Sequence, residues 1–233
     1  FLIESKIKIS NVLFIEPSAG SGVFLNSIKE EKIGFDIAPT KEGLHKIIKN
    51  DFLNENFEKH LSYQQKAKDI IFIGNPPFGN KSKLAIDFIN RALEHSNIVG
   101  FIVPIQFRKW SAQSRINKEA KLVVDYDLQE DAFEFMGKDY KVRCCFQIWK
   151  LDPADTNFDL RISEKPETSH SDFFVYQYNR TEEALKFFDY EWDFAVPRQG
   201  YQDYSKKYYK KEDCDPRHQW IFFKAKNKKV LKI

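Results

Sequence analysis

Val12-Leu13-Phe14-Ile15 runs straight into Glu16-Pro17-Ser18-Ala19-Gly20-Ser21-Gly22, and residues 23–29 then carry Phe24, Leu25 and Ile28 as their apolar positions. An unbroken apolar run of this length reads as a strand buried on both faces, and the small residues after it make a turn from which a helix starts. Strand, glycine turn and helix together open a parallel α/β sheet. Small side chains in such a turn let backbone N–H groups approach a ligand at the sheet's carboxyl edge.

The same rhythm continues downstream. Residues 33–37 read as a second strand, the weaker Ile47-Ile48 as a third leading to Asp51-Phe52, and residues 70–73 as a fourth ending at Gly74-Asn75-Pro76-Pro77-Phe78-Gly79. Between 82 and 94, Leu84, Ile86, Phe88, Ile89, Ala92 and Leu93 fall at helical spacing. Residues 99–105, 122–126 and 144–149 complete seven strand candidates, the last two joined by a charged loop containing Gly137. The expected class is α/β, a Rossmann-like, seven-stranded and mostly parallel sheet over residues 1–151. A small α+β extension over 152–233 follows a linker-like stretch with Pro153 and Pro166.

Composition narrows the function classes. The chain has 233 residues, 42% hydrophobic and 30% charged, with a formal net charge of +3, which suits a globular domain and excludes a disordered or collagenous chain. No apolar run approaches the roughly 18 residues of a membrane span, so no membrane partner is expected. The first residues, Phe1-Leu2-Ile3-Glu4-Ser5-Lys6, lack the layout of a signal peptide and read as an internal start. Cys144, Cys145 and Cys214 cannot build a disulfide framework, which points to a reducing cytoplasm. They form no CxxC pair, and the five histidines form no ligand set, so no metal is expected. The +3 is itself a sum of unlike parts. Residues 152–197 hold 4 basic and 11 acidic side chains, whereas 198–233 hold 11 basic and 4 acidic.

Several nucleotide chemistries are excluded by residue type. A dinucleotide fingerprint needs a third glycine or alanine where Leu25 stands, which disfavours NAD and FAD, and no phosphate-binding loop of the G-x-x-x-x-G-K-[ST] kind occurs. The H-x-E and P-C-x-x-C signatures of zinc deaminases are absent. Cytosine C5 methylation needs a cysteine after proline, and residues 77 and 78 are Pro and Phe.

Glu16-Pro17-x-x-Gly20-x-Gly22 resembles motif I of the S-adenosylmethionine (AdoMet) dependent methyltransferases, and Asn75-Pro76-Pro77-Phe78 at the end of a later strand resembles the catalytic motif of their N6-adenine amino-methyltransferases. The order of the two motifs, with sequence left over at the C-terminus, is similar to the gamma group of restriction-modification enzymes. The resemblance covers roughly residues 10–151 and implies an AdoMet methyltransferase fold. It implies a cofactor set of Glu16, Pro17, Ser18, Ala19, Gly20, Gly22 and Phe24, with Asp36 on the ribose, Asp51 on the adenine amine, Ile37 or Phe52 against the ring, and Asn75. It also implies that Asn75 and the Pro76 carbonyl accept the hydrogens of the target amine, that Pro77 stiffens the turn and that Phe78 stacks on an extruded base.

The implied reaction is transfer of a methyl group from AdoMet to the N6 amine of a flipped adenine in DNA. RNA adenine and the side-chain amide of protein glutamine stay open as substrates, as does a catalytically silent nucleic-acid-binding subunit. The implied partners are DNA, with RNA as the alternative, and a cognate restriction or specificity subunit. Arg108, Lys109 and Arg115 follow the strand at 99–105 and read as phosphate contacts near the sheet's carboxyl edge. Arg198, Tyr201, Lys206 and Lys207 lie in a stretch that interleaves amides, aromatics and cations. That stretch has two readings, a nucleic-acid groove or a solvated charged surface with a few tyrosine anchors.

Overall fold

The computed structural model describes residues 11–41, 43, 47–129, 134–135, 138–139, 142–151, 158–198, 205–227, 229 and 231. The chain divides into two compact units, Phe1–Lys165 and Pro166–Ile233.

In the first unit the seven expected strands are the seven strands of one sheet: β1 (Val12–Glu16), β2 (Lys32–Asp36), β3 (Ile47–Lys49), β4 (Asp69–Gly74), β5 (Ile98–Pro104), β6 (Ala120–Asp127) and, after the short β7 (Glu134–Phe135) and β8 (Lys138–Asp139), β9 (Cys144–Leu151). Their order is β3-β2-β1-β4-β5-β9-β6, parallel through the first five, with β9 inserted antiparallel between β5 and β6. The sheet is therefore Rossmann-like and mostly parallel. Chain order grows from β1 toward β3 on one side and jumps to β4 on the other, so the switch point lies between β1 and β4. Ligands of open α/β sheets bind in the crevice beyond the carboxyl ends of the strands at such a point.

Helices α1 (Val23–Ser27), α2 (Tyr63–Lys66), α3 (Lys83–Leu93) and α4 (Trp110–Gln113) connect the strands. All five residues of β1 are buried, as a strand covered on both faces requires. On α3 the buried residues are Ala85, Ile86, Phe88, Ile89, Ala92 and Leu93, the expected face except that Ala85 is buried and Leu84 only half-buried. Phe35, Phe52, Phe57, Phe72 and Phe88 pack ring to ring with centroids 5.3–5.8 Å apart, so much of the phenylalanine excess is core. Segment 158–165, expected to belong with the extension, is stitched to the first unit instead. The Leu160 N–H donates to the Leu122 carbonyl (2.9 Å), the Leu122 N–H donates to Asp159 Oδ1 (2.9 Å), and Arg161 lies 4.8 Å over the Trp149 ring.

The second unit is a three-stranded antiparallel sheet of β10 (Phe173–Tyr178), β11 (Phe194–Pro197) and β12 (Trp220–Ala225), ordered β10-β12-β11, with the single-turn helix α5 (Glu182–Leu185) and a 3-10 turn at Lys186–Asp189. Its core is Tyr178, Ala184, Phe188, Ala195, Cys214, Trp220 and Phe222. The polar tips of its buried aromatics are satisfied: Tyr178 Oη donates to the Pro216 carbonyl and Trp220 Nε1 to the Asp215 carbonyl. Among the described residues no helix is long and apolar enough to cross a membrane.

Candidate active site

The glycine turn is fixed by the strand beside it. Gly20 and Gly22 take positive φ values of 54° and 82°, where side chains are disfavoured, and this lets the loop fold back over β2. The Ala19 N–H donates to the Phe35 carbonyl (2.8 Å) and the Gly20 N–H to Asp36 Oδ2 (2.8 Å), while Asp36 Oδ1 accepts from the Ala38 N–H (2.8 Å). Asp36 thus holds the loop with one lone pair of each oxygen and keeps the others for a ligand.

Glu16 closes β1 and is only 2% exposed, with its Oε2 lacking any hydrogen-bond partner. It lies so close to the end of β4 that a Cβ on Gly74, whose φ is 149°, would stand 2.8 Å from the Glu16 Cγ. Glycine at 74 is the condition for this carboxyl's position. Burial is the main cause that raises the Glu16 pKa to about 7; the Leu25 backbone opposes the shift, and the negative charge of Asp36 adds to it.

A cavity of about 460 Å³ opens at the carboxyl ends of β1 to β4. Of the expected residues, Pro17, Ser18, Asp36, Ile37, Asp51, Phe52, Asn75 and Pro77 line it. Glu16, Ala19, Gly20 and Gly22 form the strand end and loop that carry this edge, and Phe24 sits half-buried in the first turn of α1. Asn50, Leu53, Asn54, Leu84 and Phe88 also line the cavity and were not expected there. Asn50 is the most informative of these, since it is buried and its Oδ1 has no partner although its Nδ2 reaches Glu55 (3.3 Å). Asp51 Oδ1 accepts from the Leu53 N–H (3.1 Å) and Oδ2 from Asn54 Nδ2 (2.8 Å), which orients the carboxylate. Phe52 is fully buried among Phe57, Phe72 and Phe88, so it is a core residue that also faces the cavity.

The turn Asn75-Pro76-Pro77-Phe78 leaves β4 between this cavity and another. The Ser18 hydroxyl donates to the Asn75 backbone carbonyl (3.2 Å), tying the turn to the glycine loop. Pro76 is buried, whereas Asn75 is exposed and its side-chain amide has no partner among the described residues. Phe78 and Gly79 line the other cavity, about 580 Å³, together with Lys81, Ser82, Gln106, Lys109 and Arg115. The backbone there is under tension, because Lys81 and Ser82 are consecutive non-glycine residues at φ 50° and 59°. The Arg115 guanidinium donates to the Lys81 carbonyl (3.3 Å), which braces the turn. Among the described residues, three cations and no carboxylate line this cavity.

Arg108, expected on phosphates, is committed elsewhere. Its guanidinium makes a bidentate pair with Asp125 (2.7 and 3.0 Å) and a further contact with Asp127 (2.8 Å), which raise its pKa. Both acids lie on β6, and nothing near Arg108 in sequence announces them. Lys109, its neighbour, points into the cation-lined cavity. In the second unit, the Gln177 carbonyl oxygen accepts from Arg198, whose Nη1 also donates to Gln219 (3.2 Å). Lys206 lies 5.0 Å over the Tyr208 ring and Lys207 4.9 Å over the Phe194 ring. Tyr201 lies outside the described residues. Among the described residues no group of three or more His, Cys, Asp or Glu gathers to hold a metal ion.

No family model and no curated protein matches the chain. Solved structures do. They include a Pyrococcus horikoshii protein assigned as an RNA methyltransferase (18% identity, 61% of this chain and 74% of that one, TM-score 0.42). The M protein of the type I restriction enzyme EcoKI is 14% identical over 63% of this chain and 41% of its own, with a TM-score of 0.45. The 23S rRNA methyltransferase ErmE is 12% identical over 65% of each chain, with a TM-score of 0.43. The likeness to these methyltransferases is one of fold.

Proposed function

We propose that this chain is an AdoMet-dependent methyltransferase that acts on the N6 amine of adenine in DNA. The observation that carries the proposal is the turn at the end of β4, where Asn75 and Pro77 face one cavity and Phe78 the next. A transfer between two molecules needs such a shared wall, with the donor on one side and the acceptor on the other.

The first cavity fits AdoMet by its donor set. Asp36 retains acceptor capacity suited to ribose hydroxyls, and Asn50 Oδ1 is a buried acceptor without a partner. The carboxylates of Asp36 and Asp51 complement a cationic ligand. When bound, AdoMet would supply an electrophilic methyl on a sulfonium: the S–C bond breaks to a neutral thioether as the N–C bond forms, and the methylated amine releases one proton to water. The chain's task is then to prepare the nucleophile. An aromatic amine is weak because its lone pair is conjugated into the ring. Asn75 Oδ1 and the Pro76 carbonyl would each accept one amine hydrogen and draw the nitrogen toward tetrahedral geometry. Prolines at 76 and 77 fix φ and hold those acceptors still. Phe78 offers a face for the extruded base, and Lys81, Lys109 and Arg115 offer charge for its phosphates. Those three cations favour a nucleic acid over a neutral glutamine side chain.

The test is incubation with labelled AdoMet and pools of DNA, RNA or protein, followed by mass analysis of nucleosides and peptides. N6-methyladenine in DNA is the expected product. Methylglutamine without methyladenine would overturn the proposal, and methyladenine confined to RNA would reassign the substrate.

A further inference from the structure

The turn after β5 sends neighbouring side chains to three different places. Ile105–Arg108 is a 3-10 turn, and α4 starts two residues later. Gln106 and Lys109 line the cavity that also holds Lys81 and Arg115, Phe107 is fully buried in the core, and Arg108 goes to Asp125 and Asp127. Both acids stand on β6, and the order β5-β9-β6 puts a whole strand between β6 and the strand that leads into the turn. Arg108 therefore reaches across β9 to meet them. Strand alternation puts Asp125 and Asp127 on one face of β6, which their partners on β9, Gln147 and Cys145, share.

The cluster is closely fitted. The Asp125 side chain is 16% exposed and accepts at both oxygens, from Arg108 Nη2 (2.7 Å) and Nε (3.0 Å) and from Nε2 of the fully buried Gln147 (3.2 Å). Asp127, more exposed, accepts from Arg108 Nη1 (2.8 Å). Burial is the main cause that pushes the Cys145 thiol beside the pair up to about 12, so it stays neutral. One cation thus faces two carboxylates, and without Arg108 both would be left uncompensated. Each acid touches the residue next to Lys109 in the chain. Where salt is about 0.01 M, charges act over roughly 30 Å, so two bare carboxylates here would oppose any anion that the cavity takes.

We propose that Arg108 is a positioning residue for nucleic-acid binding that touches no phosphate: it cancels the negative field of Asp125 and Asp127 beside the cavity and so leaves Lys81, Lys109 and Arg115 to attract the strand. The inference rests on the reading of that cavity as the seat of the acceptor. A phosphate contact and a neutralising contact part ways once an acid is removed together with the arginine. A phosphate contact is lost whenever Arg108 is lost. Neutralisation is needed only while both acids are charged.

The test is fluorescence anisotropy of the full chain with a labelled DNA duplex of mixed sequence, without AdoMet, over salt concentrations from about 0.01 to about 0.2 M. Arg108→Gln should weaken binding about tenfold at the lowest salt, and the deficit should shrink as salt rises and screens the two acids. Arg108→Gln combined with Asp125→Asn keeps the net charge of the parent, and its two amides can still pair across β9. This double variant should bind within about threefold of the parent, with the parent's log–log salt slope. Lys109→Gln, in the cavity itself, should flatten that slope by about 0.9, the value for one phosphate contact on duplex DNA. Weak binding by the double variant, with a slope flattened as in Lys109→Gln, would make Arg108 a phosphate contact and overturn the proposal. Parental binding by Arg108→Gln at low salt overturns it too, as does a deficit that salt leaves unchanged, which would mean a lost shape rather than an uncovered charge. Should Arg108→Gln melt early, the double variant decides alone. An unchanged affinity and slope in Lys109→Gln would instead sink the reading of the cavity, and this proposal with it.

Discussion

The two sheets of this protein handle burial in opposite ways. Every residue of β1 is buried, so no chemistry is accessible along that strand. The polar groups of the candidate site stand at strand ends: Glu16 and Asp36 close β1 and β2, Asn50 and Asp51 follow β3, and Asn75 follows β4. In the second unit the strand β10 is far more open: Phe174, Val175 and Gln177, on both of its faces, are exposed, and only Tyr178 is buried. The first sheet is closed along β1 and carries its polar groups at strand ends, whereas the second leaves β10 open.

The largest effect expected from this division is at Asn75. Asn75→Ala removes one of the two acceptors for the target amine while leaving the loop that Asp36 holds, so methyl transfer should fall by at least about 10³-fold. AdoMet affinity by calorimetry should stay within about threefold. Equal losses in both quantities would show that the edge is one binding surface rather than a donor side and an acceptor side. Next in size is Phe35→Ala, at a fully buried site in β2, which should destabilise the first unit by about 3–5 kcal/mol in urea unfolding. A cost near 1 kcal/mol would mean that the sheet is far less closed than its burial indicates.

Much of this was legible in the sequence because apolar runs bounded by glycine and proline mark buried strands directly. All seven strands of the large sheet show as apolar runs, including the short Ile47-Ile48 at one edge of the sheet. The cavity residues at 17–18, 36–37, 51–52 and 75–77 were legible because a strand end is a position along the chain. Contacts between distant segments were not. Arg108 reads as a free cation until β9 inserts antiparallel beside β6 and the fold brings Asp125 and Asp127 to it. Asn50 gives no signal beyond its place before Asp51, because an unpaired acceptor is a property of packing. Lys81 enters the second cavity through two consecutive left-handed residues, which no propensity would assign to Lys and Ser.

Glu16 gives a pH-dependent measure of how closed the first sheet is. Its carboxyl titrates near 4.5 in the unfolded chain and at about 7 in the fold, so the native state holds this proton more tightly. The contribution to stability is full below pH 4.5, declines as pH rises from about 4.5 to about 7, and is lost above that. The span is about 3 kcal/mol. Glu16→Gln cannot titrate, so the difference in unfolding free energy between the variant and the parent should move by that amount in the variant's favour from pH 4 to pH 8, measured without ligand. A flat difference would place water at Oε2 and an opening at the edge between β1 and β4.

The smallest effect is the most direct comparison of the two sheets, because one substitution can be made in both. Val12→Thr and Val175→Thr each replace a methyl with a hydroxyl and keep the β-branched shape that strands favour. At Val12, 3% exposed in β1, the hydroxyl loses water and finds no provision for a hydrogen bond, which should cost about 1–3 kcal/mol. At Val175, 48% exposed in β10, the hydroxyl stays hydrated, and the cost should be within about 0.5 kcal/mol. Urea midpoints of the two variants, compared with the parent at one pH, make the measurement. If Val175→Thr costs as much as Val12→Thr, the face of the second sheet that carries Val175 is shielded in solution as fully as the strands of the first.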